Sequence, residues 1–150
     1  MVHFSSCDSP FGPIQIGCED GYVVSIRRVG TEVSEAYSPL SELVKVQLQE
    51  YFCGKRSIFD FPINPKGTPF QLAVWHELRQ IPYGETRTYG EIATAIGKPK
   101  ASRAVGMACN RNPLWIVIPC HRVIGRKQTL TGDAGGLSMK HALLELEQQP

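Results

Sequence analysis

The chain has 150 residues, of which 42% are hydrophobic and 20% charged, with a net charge of +2. That length suits one domain or two small ones, and it holds no apolar run near the roughly 20 residues a membrane helix requires. The polar start Met1-Val2-His3-Phe4-Ser5-Ser6 is no secretory signal, so a soluble, cytoplasmic protein is expected.

In chain order, Val2 to Ser6, Pro13 to Glu19 and Tyr22 to Val29 read as three short strands. The Asp20-Gly21 break is a hairpin signal, because glycine accepts the positive φ of a tight turn, and an antiparallel meander follows. Ser38-Pro39 offers an N-cap and a first-turn proline. Leu40, Leu43, Val44, Leu48, Tyr51 and Phe52 then repeat at helical spacing as far as Gly54. Ile58 to Phe61 is read as a further edge strand, and Pro62 to Gly67 has the proline and glycine density of a link between domains. Thr68-Pro69-Phe70-Gln71 opens the second half as a capping box, with Phe70, Val74, Leu78 and Ile81 as a core stripe. Thr88 to Glu91 caps a short helix with Ile92, Ala93 and Ile96 on its apolar face, closed by Gly97. A third helix runs from about Ala101 to Arg111, buried through Ala101, Ala104, Val105 and Ala108. Two short helices about a tight turn outline a helix-turn-helix, and Lys98, Lys100, Arg103 and Arg111 surround the second of them. A final helix is expected over Ser138 to Glu147, with Leu137, Leu144 and His141 facing inward.

Charge is uneven between the halves. Residues 1–64 hold five Lys/Arg against eight Asp/Glu, and residues 65–150 hold eleven against six, so the second half is the candidate polyanion-binding half. The five cysteines are odd in number and scattered without a C-x-x-C pair, which suggests neither a disulfide framework nor a zinc knuckle. His3, Cys7 and Cys18 could meet across strands around a metal, but three loosely spaced ligands are weak evidence, and no metal and no cofactor are expected.

The stretch that carries chemistry is Ile116-Val117-Ile118-Pro119-Cys120-His121-Arg122-Val123. The β-branched run Leu114 to Ile118 reads as a strand buried on both faces and stopped by Pro119. Cys120 then stands beside an imidazole and a fixed positive charge, Arg122. That is the setting of a reactive thiol, since the nucleophile is the thiolate and cationic neighbours make it easier to form. Glu147 is available to orient a histidine. The glycine-rich Thr131 to Gly136 lacks the spacing of a phosphate cradle and suits backbone N–H groups facing a flat ligand. The expected architecture is α+β in two parts: 1–64 with a small antiparallel sheet and a helix, and 65–150, helical and winged-helix-like, carrying the helix-turn-helix.

Pro-Cys-His-Arg-Val at 119–123, with Ser102-Arg103-Ala104-Val105-Gly106, Asn112-Pro113, Gly135-Gly136-Leu137, Lys140 and Leu143 to Glu147, resembles the O6-alkylguanine-DNA alkyltransferases. The match covers residues 65–150 in consistent spacing. The first half resembles that family only in its order of elements, which would make it ribonuclease-H-like. The resemblance implies repair of double-stranded DNA containing O6-alkylguanine by a monomer, in one stoichiometric step that leaves the alkyl group on a cysteine. It implies Cys120 as acceptor, His121 as the base acting through a water, Glu147 as the group orienting His121, and Asn112 as the tie between the active-site turn and the helix-turn-helix. It further implies that Arg103 fills the space of a flipped nucleotide and that Tyr89 crowds the phosphate and contacts the base. The helix bearing Ala101, Ser102 and Ala104, approached by Lys100, would enter the minor groove. Carbonyls near Cys120 and Val123 would read the guanine amine, and the Ala134 amide would donate to O6.

Two departures from the family stand out. Asp133 replaces the usual aromatic of the glycine loop, and a carboxylate near the thiol is expected to slow transfer, unless the loop swings Asp133 away. Trp115 replaces a smaller residue and would narrow the alkyl pocket or offer a stacking face, unless it is simply a core residue. Two other readings remain open at this stage: a lesion-recognition protein without transfer activity, against which Cys120 argues, and a helix-turn-helix regulator with a structural Cys120.

Overall fold

A computed structural model describes residues 1–31, 36–126 and 137–149. The chain divides into two compact units, Met1–Lys66 and Gly67–Pro150.

In the first unit β1 (His3–Cys7), β2 (Ile14–Glu19) and β3 (Tyr22–Arg28) form an antiparallel sheet in the order β1-β2-β3. The hairpin between β2 and β3 turns on Asp20 and Gly21 at φ 53° and 82°, the two left-handed residues a two-residue turn needs. α1 (Pro39–Phe52) packs on β2 and β3 and buries Val44, Leu48 and Tyr51 against Ile14, Ile16 and Ile26. Its start is the one read from sequence: Ser38 Oγ accepts from Ser41 N at 3.1 Å and Ser41 Oγ accepts from Ser38 N at 2.8 Å. Leu43 of the expected stripe is exposed, and the inward positions beside it are taken by Ser41 and Gln47.

No strand forms over 58–61. Ile58 is 72% exposed, whereas Phe59 and Phe61 stack in series from Tyr51, with ring centroids 5.5 and 5.8 Å apart. Aromatic packing holds that segment. Ladder pairing begins just beyond it, where Val23 N–H donates to Pro62 O at 3.0 Å and Asn64 N–H donates to Val23 O at 2.9 Å.

The second unit comprises α2 (Pro69–Leu78), β4 (Arg87–Thr88), α3 (Tyr89–Ala95), α4 (Ser102–Asn110), a 3-10 turn (Cys120–Arg122), β5 (Val123–Ile124) and α5 (Leu137–Gln148). The helices α2, α3 and α4 pack on one another through Val74, Trp75, Leu78, Ile92, Ala93, Val105, Ala108 and Cys109. Trp75, rather than the half-buried Phe70, belongs to the inner face of α2, and its indole N–H donates to Ala108 O of α4 at 2.9 Å. In α4 the buried positions are Val105, Ala108 and Cys109, with Ala101 and Ala104 only half-buried.

α3 is seven residues long, and so short a helix depends on its ends. Thr88 Oγ1 accepts from Glu91 N at 3.1 Å while Glu91 Oε1 accepts from Thr88 N at 2.8 Å. Thr88→Ala is expected to lower stability by about 1 kcal/mol in chemical denaturation, because an orphan amide of the first turn loses its partner. The parallel ladder Arg87↔Val123 and Thr88↔Ile124 ties the start of α3 to the segment that leaves the 3-10 turn.

The run Leu114 to Ile118 is buried throughout, as expected, but it is a tight turn and not a strand. Ile116 lies at φ 74°, Val117 N–H donates to Trp115 O, and Ile118 N–H donates to Leu114 O, both at 2.9 Å. A side chain takes the place of a neighbouring strand. Asn112 Oδ1 accepts from Leu114 N at 2.9 Å and Asn112 Nδ2 donates to Ile118 O at 2.7 Å, so both ends of the run are pinned to one residue. A β-branched residue in the left-handed region costs about 1–2 kcal/mol, which the buried surroundings offset.

Candidate active site

The 3-10 turn Cys120–Arg122 opens as soon as the pinned run ends, with Cys120 N–H donating to Ile118 O at 2.8 Å and Arg122 N–H donating to Pro119 O at 2.9 Å. Cys120 is buried, and its Sγ accepts from Asn112 Nδ2 at 3.3 Å. The Asn112 amide thus holds both the turn and the thiol. From the next position His121 Nε2–H donates to Glu147 Oε2 at 2.6 Å, both side chains buried. Glu147 comes from the far end of α5, whose inward face is Met139, Lys140, Leu143 and Glu147, at helical spacing. His141, expected to face inward, is instead exposed and pairs with Glu145 at 3.0 Å, because the burial stripe runs through the residues before and after it. The side chain of Leu137 lies outside the described residues.

Burial alone would raise the Glu147 carboxyl. The hydrogen bonds of His121 and Arg122, and the charges both carry at the acid pH where the carboxyl titrates, outweigh it and hold the group down at about 2. Arg122, expected as a fixed charge beside the thiol, puts its guanidinium on Glu147: Nε donates to Oε1 at 2.8 Å and Nη2 donates to Oε2 at 3.0 Å. The turn after α2 closes over the same carboxylate. Gly84 N–H donates to Glu147 Oε1 at 3.3 Å and Gln148 Nε2 donates to Gly84 O at 2.8 Å. Gly84 sits at φ 83°, and an added Cβ would stand 3.3 Å from Glu147 O. Gly84→Ala should therefore destabilise the unit by about 1–2 kcal/mol in thermal or urea unfolding.

A groove of about 610 Å³ opens where α3 and α4 begin, lined by Tyr89, Ser102, Arg103, Gly106, Met107 and Arg126 among others. The fully buried Lys140 stands below Tyr89, with Nζ 3.4 Å from the phenol oxygen and 5.6 Å from the ring centroid. The structure thus brings together Tyr89, Ser102 and Arg103 in one place and Cys120, His121, Glu147 and Asn112 in another, within the same unit.

The family model described as 6-O-methylguanine DNA methyltransferase, DNA binding domain, matches residues 69–149, and the ribonuclease-like domain of the same family matches residues 2–65. The chain belongs to the 6-O-methylguanine DNA methyltransferase family. It is 49% identical over 153 residues to the methylated-DNA–protein-cysteine methyltransferase of Methanosarcina acetivorans, covering 97% of this chain and 98% of that protein. It is 43% identical to that of Mycobacterium bovis, over 99% of this chain and 93% of that protein. Among solved structures it is similar to Mycobacterium tuberculosis OGT in complex with DNA, with a TM-score of 0.89 and 44% identity over 97% of this chain and 92% of that one. The α+β fold, with a ribonuclease-like first part and a DNA-binding second part, is that of the methyltransferase family.

Among the described residues, the others named from the sequence for the site do not line the Tyr89 groove. Ala104 lines a smaller groove beside Thr68, Phe70 and Arg111, while Lys100 is exposed and Ala101 half-buried at the approach to α4. Trp115 and Val123 are both buried, and neither lines the Tyr89 groove. Asp133 and Ala134 lie outside the described residues. Sequence reasoning missed the grip of Arg122 on Glu147 and the part of Ile81 and Gly84 in it. The only signal was the Pro-Tyr-Gly turn at 82–84, whose glycine marks a special backbone position without saying what it faces.

Proposed function

We propose that this chain repairs alkylated DNA by moving the alkyl group of an O6-alkylguanine onto Cys120 in a single stoichiometric step. The observation that carries the reading is the buried contact of His121 Nε2–H with Glu147 at 2.6 Å, one residue along the turn from a thiol that Asn112 holds at 3.3 Å. Glu147 fixes the imidazole tautomer, which leaves the lone pair on Nδ1. His121 Nδ1 takes the Cys120 proton through a water. The amide of Asn112 stabilises the thiolate that forms. The sulfur then attacks the alkyl carbon, so that an S–C bond forms as the C–O6 bond breaks. The guanine leaves with the electron pair and takes up a proton, and Cys120 ends as a thioether.

A base stacked in a duplex must be rotated out first, at a cost of a few kcal/mol. The groove at the start of α4 supports this reading because Arg103 and Tyr89 both line it; on this reading Arg103 fills the vacated space and Tyr89 crowds the phosphate, with small residues letting α4 approach the minor groove. Residues 65–150 carry both the DNA contacts and the acceptor. On this reading the acceptor site is complete within a single chain, so a monomer suffices, and its partner is double-stranded DNA in a cytoplasmic setting. Among the described residues no helix is long and apolar enough to cross a membrane.

Intact-mass analysis after incubation with an O6-methylguanine duplex tests the reaction and the residue together. The expected result is a gain of one CH2 unit, mapped to Cys120 by peptide analysis and absent from Cys120→Ser. Binding without a mass gain on any cysteine would establish lesion recognition in its place.

A further inference from the structure

The Glu147 carboxylate is shared. Its Oε2 accepts from His121 Nε2 and from Arg122 Nη2, and its Oε1 accepts from Arg122 Nε and from Gly84 N. The guanidinium spends its remaining nitrogen on the backbone, Nη1 donating to Ile81 O at 2.8 Å, and lies over the Tyr83 ring at 5.7 Å from the centroid. Every arm of the fork is held in a buried setting. A lysine in its place would supply one point charge without the second bond to Glu147.

We propose that Arg122 is a positioning residue that keeps His121 neutral, and so able to accept a proton, by offsetting the charge of the carboxylate the two side chains share. The proposal deepens the transfer reading above and rests on it. A buried carboxylate facing an imidazole alone favours the imidazolium, and an imidazolium at rest has no lone pair for the thiol proton. With a permanent guanidinium on the same carboxylate, Glu147, Arg122 and a neutral His121 together carry no net charge. When the Cys120 proton reaches Nδ1 the trio becomes +1 beside a thiolate at −1, so the site stays neutral through the step. Among the described residues, the titratable groups of the elements packed against it leave this balance in place. Tyr83 in the turn after α2 has its phenol raised above its ordinary value, first by burial and then by Glu147, and stays neutral. The titratable side chains of α2, His76 and Glu77, are off its buried face, and Lys140 of α5 reaches Tyr89.

Two measurements on the full chain test this. In protein labelled with 15N-histidine, the ring resonances of wild-type His121 should report a neutral imidazole with the proton on Nε2 at pH 7; an imidazolium there would overturn the proposal without need of any variant. Single-turnover methyl transfer to the protein, followed against pH, should show an acid limb that moves to higher pH by about one unit or more in Arg122→Met. The limb should return near the wild-type position in Arg122→Met/Glu147→Gln, where both charges are gone and folding is secured by the loss of the pair as a whole. Arg122→Lys should restore the limb and not the full plateau rate. A role confined to packing would lower the melting temperature and leave the limb where it is, and that result would overturn the proposal. Absence of methyl transfer in the wild type would sink the transfer reading itself, whereas transfer with an unmoved limb would sink only the role of Arg122.

Discussion

Glu147→Gln is expected to slow methyl transfer by roughly 10²–10⁴ and to lower the melting temperature by about 10 °C. The amide matches the carboxylate in shape but not in hydrogen bonding. Glu147 accepts four bonds, from His121, twice from Arg122, and from Gly84. Every one of those partners is a donor. Whichever way the glutamine side chain points, its NH2 faces other N–H groups: with the oxygen in the Oε2 position the NH2 meets Arg122 Nε and Gly84 N, and with the oxygen in the Oε1 position it meets His121 Nε2 and Arg122 Nη2. In either orientation the neutral amide no longer stabilises the imidazolium that forms when His121 takes the thiol proton, which accounts for the rate. The guanidinium is left buried and uncompensated, a loss of about 3–5 kcal/mol, which accounts for the stability. Single-turnover rates and calorimetry on the same preparation separate the two effects. A transfer rate within about threefold of wild type would show that Glu147 only packs.

Much of this site could be read from the order of residues because the information is local. Thr88-x-x-Glu91 and Ser38-Pro39 announce helix starts through bonds made within a single turn, and Asp20-Gly21 announces a hairpin through the backbone those two residues tolerate. Cys120 and His121 are adjacent, so their chemistry is visible as soon as they are seen together. What could not be read is where a long-range partner sends its charge. Arg122 looks like a cation next to a thiol; only the arrival of Glu147, 25 positions further on, turns it to the carboxylate. The run Leu114 to Ile118 misled for a related reason. Apolar, β-branched residues fit a buried strand, and nothing in their pattern reveals that Asn112 binds both ends of the run and closes it as a turn. Ile58 to Phe61 failed because alternation cannot tell a ladder from a stack of rings on Tyr51.

Stability should also fall as pH drops below 4.5, with Glu147 as a main contributor. Its carboxyl is held at about 2 in the folded chain against an ordinary 4.5, because the hydrogen bonds and charges of His121 and Arg122 outweigh its burial. A carboxyl whose folded value is depressed contributes stability that is fully present above its unfolded value and disappears as pH falls through the folded one. Here that window runs from pH 4.5 down to about 2, and the contribution at its upper end is roughly 3 kcal/mol. Urea unfolding of wild type and Glu147→Gln across this range isolates the carboxyl, because every other acid is common to both. At pH 6 the wild type should be the more stable by several kcal/mol, and the gap should narrow by about 3 kcal/mol on approach to pH 2. A gap that stays constant with pH would mean that the Glu147 carboxyl titrates alike in the folded and unfolded chains, and then its contacts with His121 and Arg122 could not be what holds it ionised.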